Sequence, residues 1–198
     1  MRTTPHRTLP PLALEILRLL CVRPMHPYEM QQLIRDWGIE HVVKVRAGSL
    51  YHTVERLSRL GLIEPVETAR AGRRPERTVY AITEHGRDTY TADLRELVRL
   101  PAHEYPLFAA GLEMLGDLDR ADVIKLLEQR CTALEAAVAG SQQIAASLTK
   151  RGLPRLATIE VEFTEEMRRA ELAWVRNLID DIRTGQLPWI LEGEERHS

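Results

Sequence analysis

Two cysteines in 198 residues leave room for at most one disulfide, far below the density that staples small secreted domains. Cys21 and Cys131 each fall within an apolar helical pattern and read as buried free thiols. No apolar run approaches the ~20 residues needed to span a bilayer. The opening segment MRTTPHRTLPPLALEILRLL lacks a small-residue cleavage site and carries Glu15 and Arg18 inside its apolar stretch, so no export signal is expected. A soluble, cytoplasmic protein is the expectation, with no membrane partner. Also missing are a glycine-rich phosphate loop, a GxSxG elbow, an HExxH pair and a CxxC pair. The seven histidines are scattered, none at ligand spacing from another His or Cys, so no metal and no cofactor is expected. Glu165-Glu166 and Asp180-Asp181 lie on amphipathic helical patterns and read as solvated faces. Without a catalytic constellation, an enzyme is not expected.

What is present is a folded composition with an uneven charge. At 44% hydrophobic residues the chain is too apolar for disorder and long enough to bury a core. The formal net charge of −2 hides a basic front half and an acidic rear half, which suggests two jobs. The reading is therefore two domains, residues 1–100 and 101–198.

The front half reads as three helices, a hairpin and a fourth helix. Pro10-Pro11 opens the first, with Leu12, Ile16, Leu19 and Leu20 at helical spacing up to Pro24. The second starts near His26-Pro27 and sets Met30, Leu33, Ile34 and Trp37 on one face before Gly38. The third follows Ala47-Gly48, with Ser49 as its expected N-cap and Leu50, Val54, Leu57 and Leu60 turned inward, until Gly61. Strand-like runs at 62–67 and 78–82 flank a turn rich in arginine, and Thr83 caps a helix with Tyr90, Leu94, Leu97 and Val98 as its apolar face.

The rear half is helical throughout. After a short helix from about Pro106 to Leu115, a long one begins near Asp119. It carries a seam of Ile124, Leu127, Cys131, Leu134, Val138, Ser141, Ala145 and Leu148 in alternating steps of three and four, the spacing of coiled coils. That seam spans about 37 Å at 1.5 Å per residue. Gly152-Leu153-Pro154 breaks it. A last helix places Leu156, Ile159, Phe163, Met167, Ala170, Trp174, Leu178 and Ile182 on one face, and ends at Gly185 and Pro188. The fold class is thus mainly α: an N-terminal winged helix-turn-helix of three helices and a two-stranded wing, then a helical domain with long antiparallel helices.

Such a fold sets its third helix in the major groove and its hairpin against the backbone or minor groove. On residues 49–60 the face opposite Leu50, Val54 and Leu57 carries His52, Glu55, Arg56 and Arg59, flanked by Ser49 and Tyr51. Hydroxyl, imidazole and guanidinium groups are donors suited to phosphate oxygens and base edges. Arg70, Arg73, Arg74 and Arg77 crowd one exposed turn, where they repel each other unless an anion lies nearby. Lys44 and Arg46, just before the third helix, add to the same basic surface.

These residues also carry a resemblance. Leu12 to Leu20, Met25-His26-Pro27-Tyr28-Glu29-Met30, Gly48-Ser49-Leu50-Tyr51 and Val54-Glu55-Arg56-Leu57 follow one another in order. Gly61-Leu62-Ile63, Gly72-Arg73-Arg74-Pro75, Tyr80-Ala81-Ile82-Thr83 and Gly86 complete the series. Over roughly residues 10–90 the chain resembles the PadR family of bacterial transcriptional regulators. It departs from the family at Pro27, often glycine there, and at His52, often proline, which leaves base preference open. The resemblance implies a homodimeric repressor on an inverted-repeat operator in double-stranded DNA, often near its own gene. By position it implies DNA contacts from Ser49 and Tyr51, a wing gripping the backbone, and Tyr28 as either a DNA contact or a core residue. The long rear half resembles the subgroup with a larger helical C-terminal domain. Dimerisation is expected there, through Ile124, Leu127, Cys131, Leu134, Val138, Phe163, Trp174 and Leu178. Some family members sense small aromatic or phenolic effectors, for which Trp174 and Trp189 are the candidate walls. Two other readings stand beside this one: a winged helix that binds protein, separated by the salt dependence of DNA binding, and a hydrophobic-drug sensor, separated by tryptophan quenching.

Overall fold

The computed structural model describes residues 8–38, 43, 48–69, 77–102 and 104–189. The chain divides into two compact units, Met1–His103 and Glu104–Ser198.

In the first unit, α1 (Pro11–Val22), α2 (Pro27–Asp36) and α3 (Ser49–Arg59) precede β1 (Ile63–Ala69), β2 (Arg77–Ile82) and α4 (Glu84–Arg99). Pro11 and Pro27 each sit in a first helical turn, where the missing N–H is not needed. His26 caps α2: its Nδ1 accepts the Tyr28 N–H at 3.0 Å. Ile16, Leu17, Leu19 and Leu20 of α1 are wholly buried with Met30 and Ile34 of α2 and Leu50 and Leu57 of α3. Burying such a side chain contributes roughly 1.5–3 kcal/mol, so this trihelical core holds the unit together.

Three inward assignments do not hold. Trp37 closes α2 rather than joining its buried face; it is 53% exposed, with the Arg18 guanidinium 5.3 Å above its ring. Leu60 falls one residue past the end of α3 and is exposed. On α4 the residues turned inward are Gly86, Tyr90 and Asp93, while Leu94, Leu97 and Val98 are exposed. Asp93 is fully buried and accepts the Leu9 N–H at 2.8 Å, a polar contact that apolar periodicity does not register.

β1 and β2 pair antiparallel, Ile63 opposite Ile82 and Ala69 opposite Arg77, with a bulge between Pro65 and Glu67. Met25 and Tyr80 exchange both backbone hydrogen bonds at 3.1 Å, tying the α1–α2 turn to β2.

The second unit contains α5 (Leu107–Glu113), α6 (Arg120–Lys150) and α7 (Ile159–Thr184), with 3₁₀ turns at Leu115–Asp117 and Arg155–Ala157. Asp119 caps α6 by accepting the Ala121 N–H at 2.8 Å. α7 returns antiparallel along α6, and ion pairs of Glu128 with Arg183 and Glu135 with Arg176 mark the register. The expected α6 seam is the one used: Leu127, Cys131 and Ser141 are buried, and Ile124, Leu134 and Val138 half-buried. Burial pushes the Cys131 thiol pKa up. The α7 face keeps Ile182 buried and Leu178 half-buried as expected, but otherwise differs from the expected one. Leu172, Val175, Ile179 and Ile182 are buried, whereas Leu156, Ile159, Phe163, Met167 and Trp174 are exposed. The two stripes are offset around the same helix, and the inward one carries polar members. Arg168 reaches across to Ser141 Oγ at 2.6 Å, so this seam does not read as a continuous apolar line.

Candidate nucleic-acid interface

α3 presents two chemically opposed faces. Leu50, Val54 and Leu57 anchor it to the core, and Tyr51, His52, Glu55, Arg56 and Arg59 are exposed on the other side. The His52 side chain is 85% exposed and lies 3.9 Å from the Glu55 carboxylate. The helix begins at Gly48, whose φ of +81° is left-handed backbone that glycine adopts without strain. Gly48 thus takes the cap position assigned to Ser49. Ser49 is instead the first helical residue, half-buried, and its carbonyl accepts the Thr53 hydroxyl at 2.7 Å. Gly48, without a side chain, makes no side-chain cap bond to the helix.

The far end of α3 is fastened to the strands and to α4 by one joint. Thr83 Oγ1 donates to the Gly61 carbonyl at 2.8 Å and accepts the Gly86 N–H at 3.0 Å, while the Thr83 N–H donates to Leu62 O at 3.1 Å. α4 can approach this closely because residue 86 has no side chain: a Cβ there would lie 2.0 Å from Leu62 O. Thr83 and Gly86 are therefore positioning residues for α3. The threonine was legible as a cap, but its second bond back to Gly61 was not.

At the start of α2, Tyr28 is 55% exposed, which removes the core alternative for it. Its neighbour Glu29 is held by Arg23, whose Nη1 lies 3.2 Å from Glu29 Oε2. That hydrogen bond keeps the Glu29 carboxyl below the usual carboxylate range. Tyr28, Tyr51, His52, Arg56 and Arg59 thus share one unit with exposed side chains. Arg77 is the first residue of β2 and pairs with Ala69, the last of β1. Lys44, Arg46, Arg70, Arg73 and Arg74 lie outside the described residues.

The effector and dimer candidates all fall in the second unit. Trp174 is 47% exposed and meets Phe108 edge-on, with ring centroids 6.2 Å apart. It is not part of the buried seam. Arg130 stacks its guanidinium 3.5 Å from the Phe108 ring centre and binds Glu171 through Nε at 2.7 Å. Trp189 is half-buried on the unit's own core and donates its indole N–H to Leu118 O at 3.2 Å. Leu127 and Cys131 bury against α7 of the same chain, with Ile124, Leu134 and Leu178 packed beside them. A cleft of about 230 Å³ lies among Phe108, Leu115, Leu118, Leu126 and Arg130. Among the described residues no cluster of His, Cys, Asp and Glu could hold a metal, and no helix is long and apolar enough to cross a membrane.

Residues 16–92 match the family described as transcriptional regulator PadR-like. The fold is similar to that of Bacillus subtilis PadR in complex with p-coumaric acid, at TM-score 0.72 and 15% identity, covering 87% of this chain and 98% of that one. It is similar also to Bacillus subtilis PadR in complex with operator DNA, at TM-score 0.68 and 17% identity, covering 86% and 98%. The Vibrio cholerae virulence activator AphA matches at TM-score 0.64 and 19% identity, covering 88% and 99%. No curated protein matches in sequence. Over residues 16–92 the winged-helix unit is thus similar to that of the PadR-like transcriptional regulators.

Proposed function

We propose that this chain is a homodimeric, cytoplasmic transcriptional repressor that binds an inverted-repeat operator through α3 and the wing, without catalytic activity. The observation that carries the reading is the exposed face of α3, where Tyr51, His52, Arg56 and Arg59 stand on a helix packed into the core through Leu50, Val54 and Leu57 and fastened at its far end. Ser49 at the first turn adds to that surface, and Arg70, Arg73, Arg74 and Arg77 are the proposed backbone contacts of the wing. Steric exclusion of polymerase from an overlapping promoter is the mechanism.

The dimer reading is supported by the outer face of α7. Ile159, Phe163, Met167 and Trp174 are all exposed, an apolar stripe of the kind that marks an interaction site. A second copy of the chain, related by a twofold axis, covers the same stripe on both subunits. Of the dimer candidates, Phe163 and Trp174 then face the partner, while Ile124, Leu127, Cys131, Leu134, Val138 and Leu178 support the hairpin from within. The p-coumaric acid complex of Bacillus subtilis PadR favours a small aromatic effector for this chain as well. Trp174 is the available aromatic wall; Trp189 is engaged by its own chain.

The test is a mobility-shift titration on DNA upstream of the protein's own gene at two salt concentrations. The expected result is a discrete shift that weakens with salt at a slope of about −0.9 per phosphate contact. Arg56→Ala with Arg59→Ala should abolish the sequence-dependent part. Absence of any shift at low salt would sink the reading.

A further inference from the structure

Tyr28 and Gln32 are four residues apart on α2, on the side away from the buried Pro27, Met30 and Ile34, and both are exposed. The Gln32 Nε2–H donates to the Tyr28 hydroxyl oxygen at 3.2 Å. This contact has a directional consequence. A phenolic oxygen that accepts from an amide keeps its own proton, which must then point elsewhere. The Gln32 amide retains a second N–H as well. Two neutral donors therefore leave one spot on the exposed surface of α2, and the spot offers no competing bare carboxylate from its neighbour Glu29, which Arg23 occupies. A backbone phosphate oxygen accepts hydrogen bonds, carries no proton at neutral pH, and takes donors of this kind in DNA complexes.

We propose that Gln32 is a positioning residue for DNA binding: it aims the Tyr28 hydroxyl proton at one backbone phosphate and gives its own remaining N–H to the same group. The proposal rests on the DNA-binding reading above and adds to it a residue that the third helix and the wing do not include. Because both donors are neutral, the pair fixes the register of the protein on the duplex without adding a counterion-releasing charge.

The experiment is a fluorescence-anisotropy titration of labelled duplex DNA from upstream of the protein's own gene. It compares wild type, Tyr28→Phe, Gln32→Leu and the double variant at several salt concentrations, alongside thermal midpoints. Each single variant should bind about tenfold more weakly, the scale of a lost hydrogen bond to a charged acceptor. The double variant should be no weaker than the worse single, the salt slope should stay at the wild-type value, and the thermal midpoints should not move. Duplexes with single methylphosphonate substitutions should show one position that weakens wild type but leaves Gln32→Leu unaffected. Additive losses, or Gln32→Leu binding within about twofold of wild type, would overturn the proposal while DNA binding itself stands. Failure of wild type to bind any duplex at low salt would overturn both.

Discussion

In the first unit the apolar faces of α1, α2 and α3 close on one another, and what α3 turns outward is polar and basic. In the second unit α6 and α7 close only one seam, and what α7 turns outward is Phe163, Met167 and Trp174. Both units are built from amphipathic helices, yet their surfaces ask for different company. A basic, hydrogen-bonding face is satisfied by a polyanion, whereas an apolar stripe with two large aromatics is satisfied by another apolar stripe. Each unit supports its own core, so the contrast lies in what remains exposed after folding.

Breaking the second half of that contrast should give the largest effect. Phe163→Ser combined with Trp174→Ser removes two aromatics of the type that dominate interfaces, at about 2 kcal/mol or more each. Sedimentation should show a monomer in place of the dimer proposed for wild type, with the helical circular dichroism retained. A double variant that stays dimeric would move the interface away from this face. Next in size, Leu17→Ala in the first core should cost about 2–5 kcal/mol in denaturant unfolding, from lost burial and the cavity left behind, with no change in oligomeric mass. A change in mass would mean that the first core is also part of the interface. Smallest is Thr83→Ala, which removes a cap and the bond to Gly61. It should cost about 1 kcal/mol of stability, and it should weaken operator binding more than that loss alone explains, because the end of α3 is no longer held. Operator affinity equal to wild type would show that the joint serves stability only.

How far the sequence was legible differs between the same two regions. Leu50, Val54 and Leu57 were readable as the buried face of α3 because the helix is short and its opposite side is plainly polar. Thr83 was readable as a cap because it precedes a helical run, and it accepts the Gly86 N–H; Asp119, near which the long helix was expected to begin, proves to cap it by accepting the Ala121 N–H. The α7 stripe was misread for a physical reason. That helix carries two apolar lines, and the one with larger side chains, Phe163 and Trp174, is the one left exposed. The buried line contains the half-buried Arg168, which donates to Ser141 Oγ and to the Ala137 carbonyl on α6. Likewise Asp93 is fully buried because the Leu9 N–H, 84 residues away in sequence, meets it.

Local chemistry thus settled what depends on neighbours along the chain: the helices, the Thr83 cap, the α6 seam and the polar face of α3, since hydrogen bonding within one turn and heptad spacing involve only residues a few positions apart. Tertiary structure decided which of two α7 faces turns inward, that Gly86 must lack a side chain for α4 to reach Leu62, and that Trp37 ends beneath Arg18. These are matters of which surfaces meet across the fold, and close packing between distant segments sets them rather than the period of any one helix.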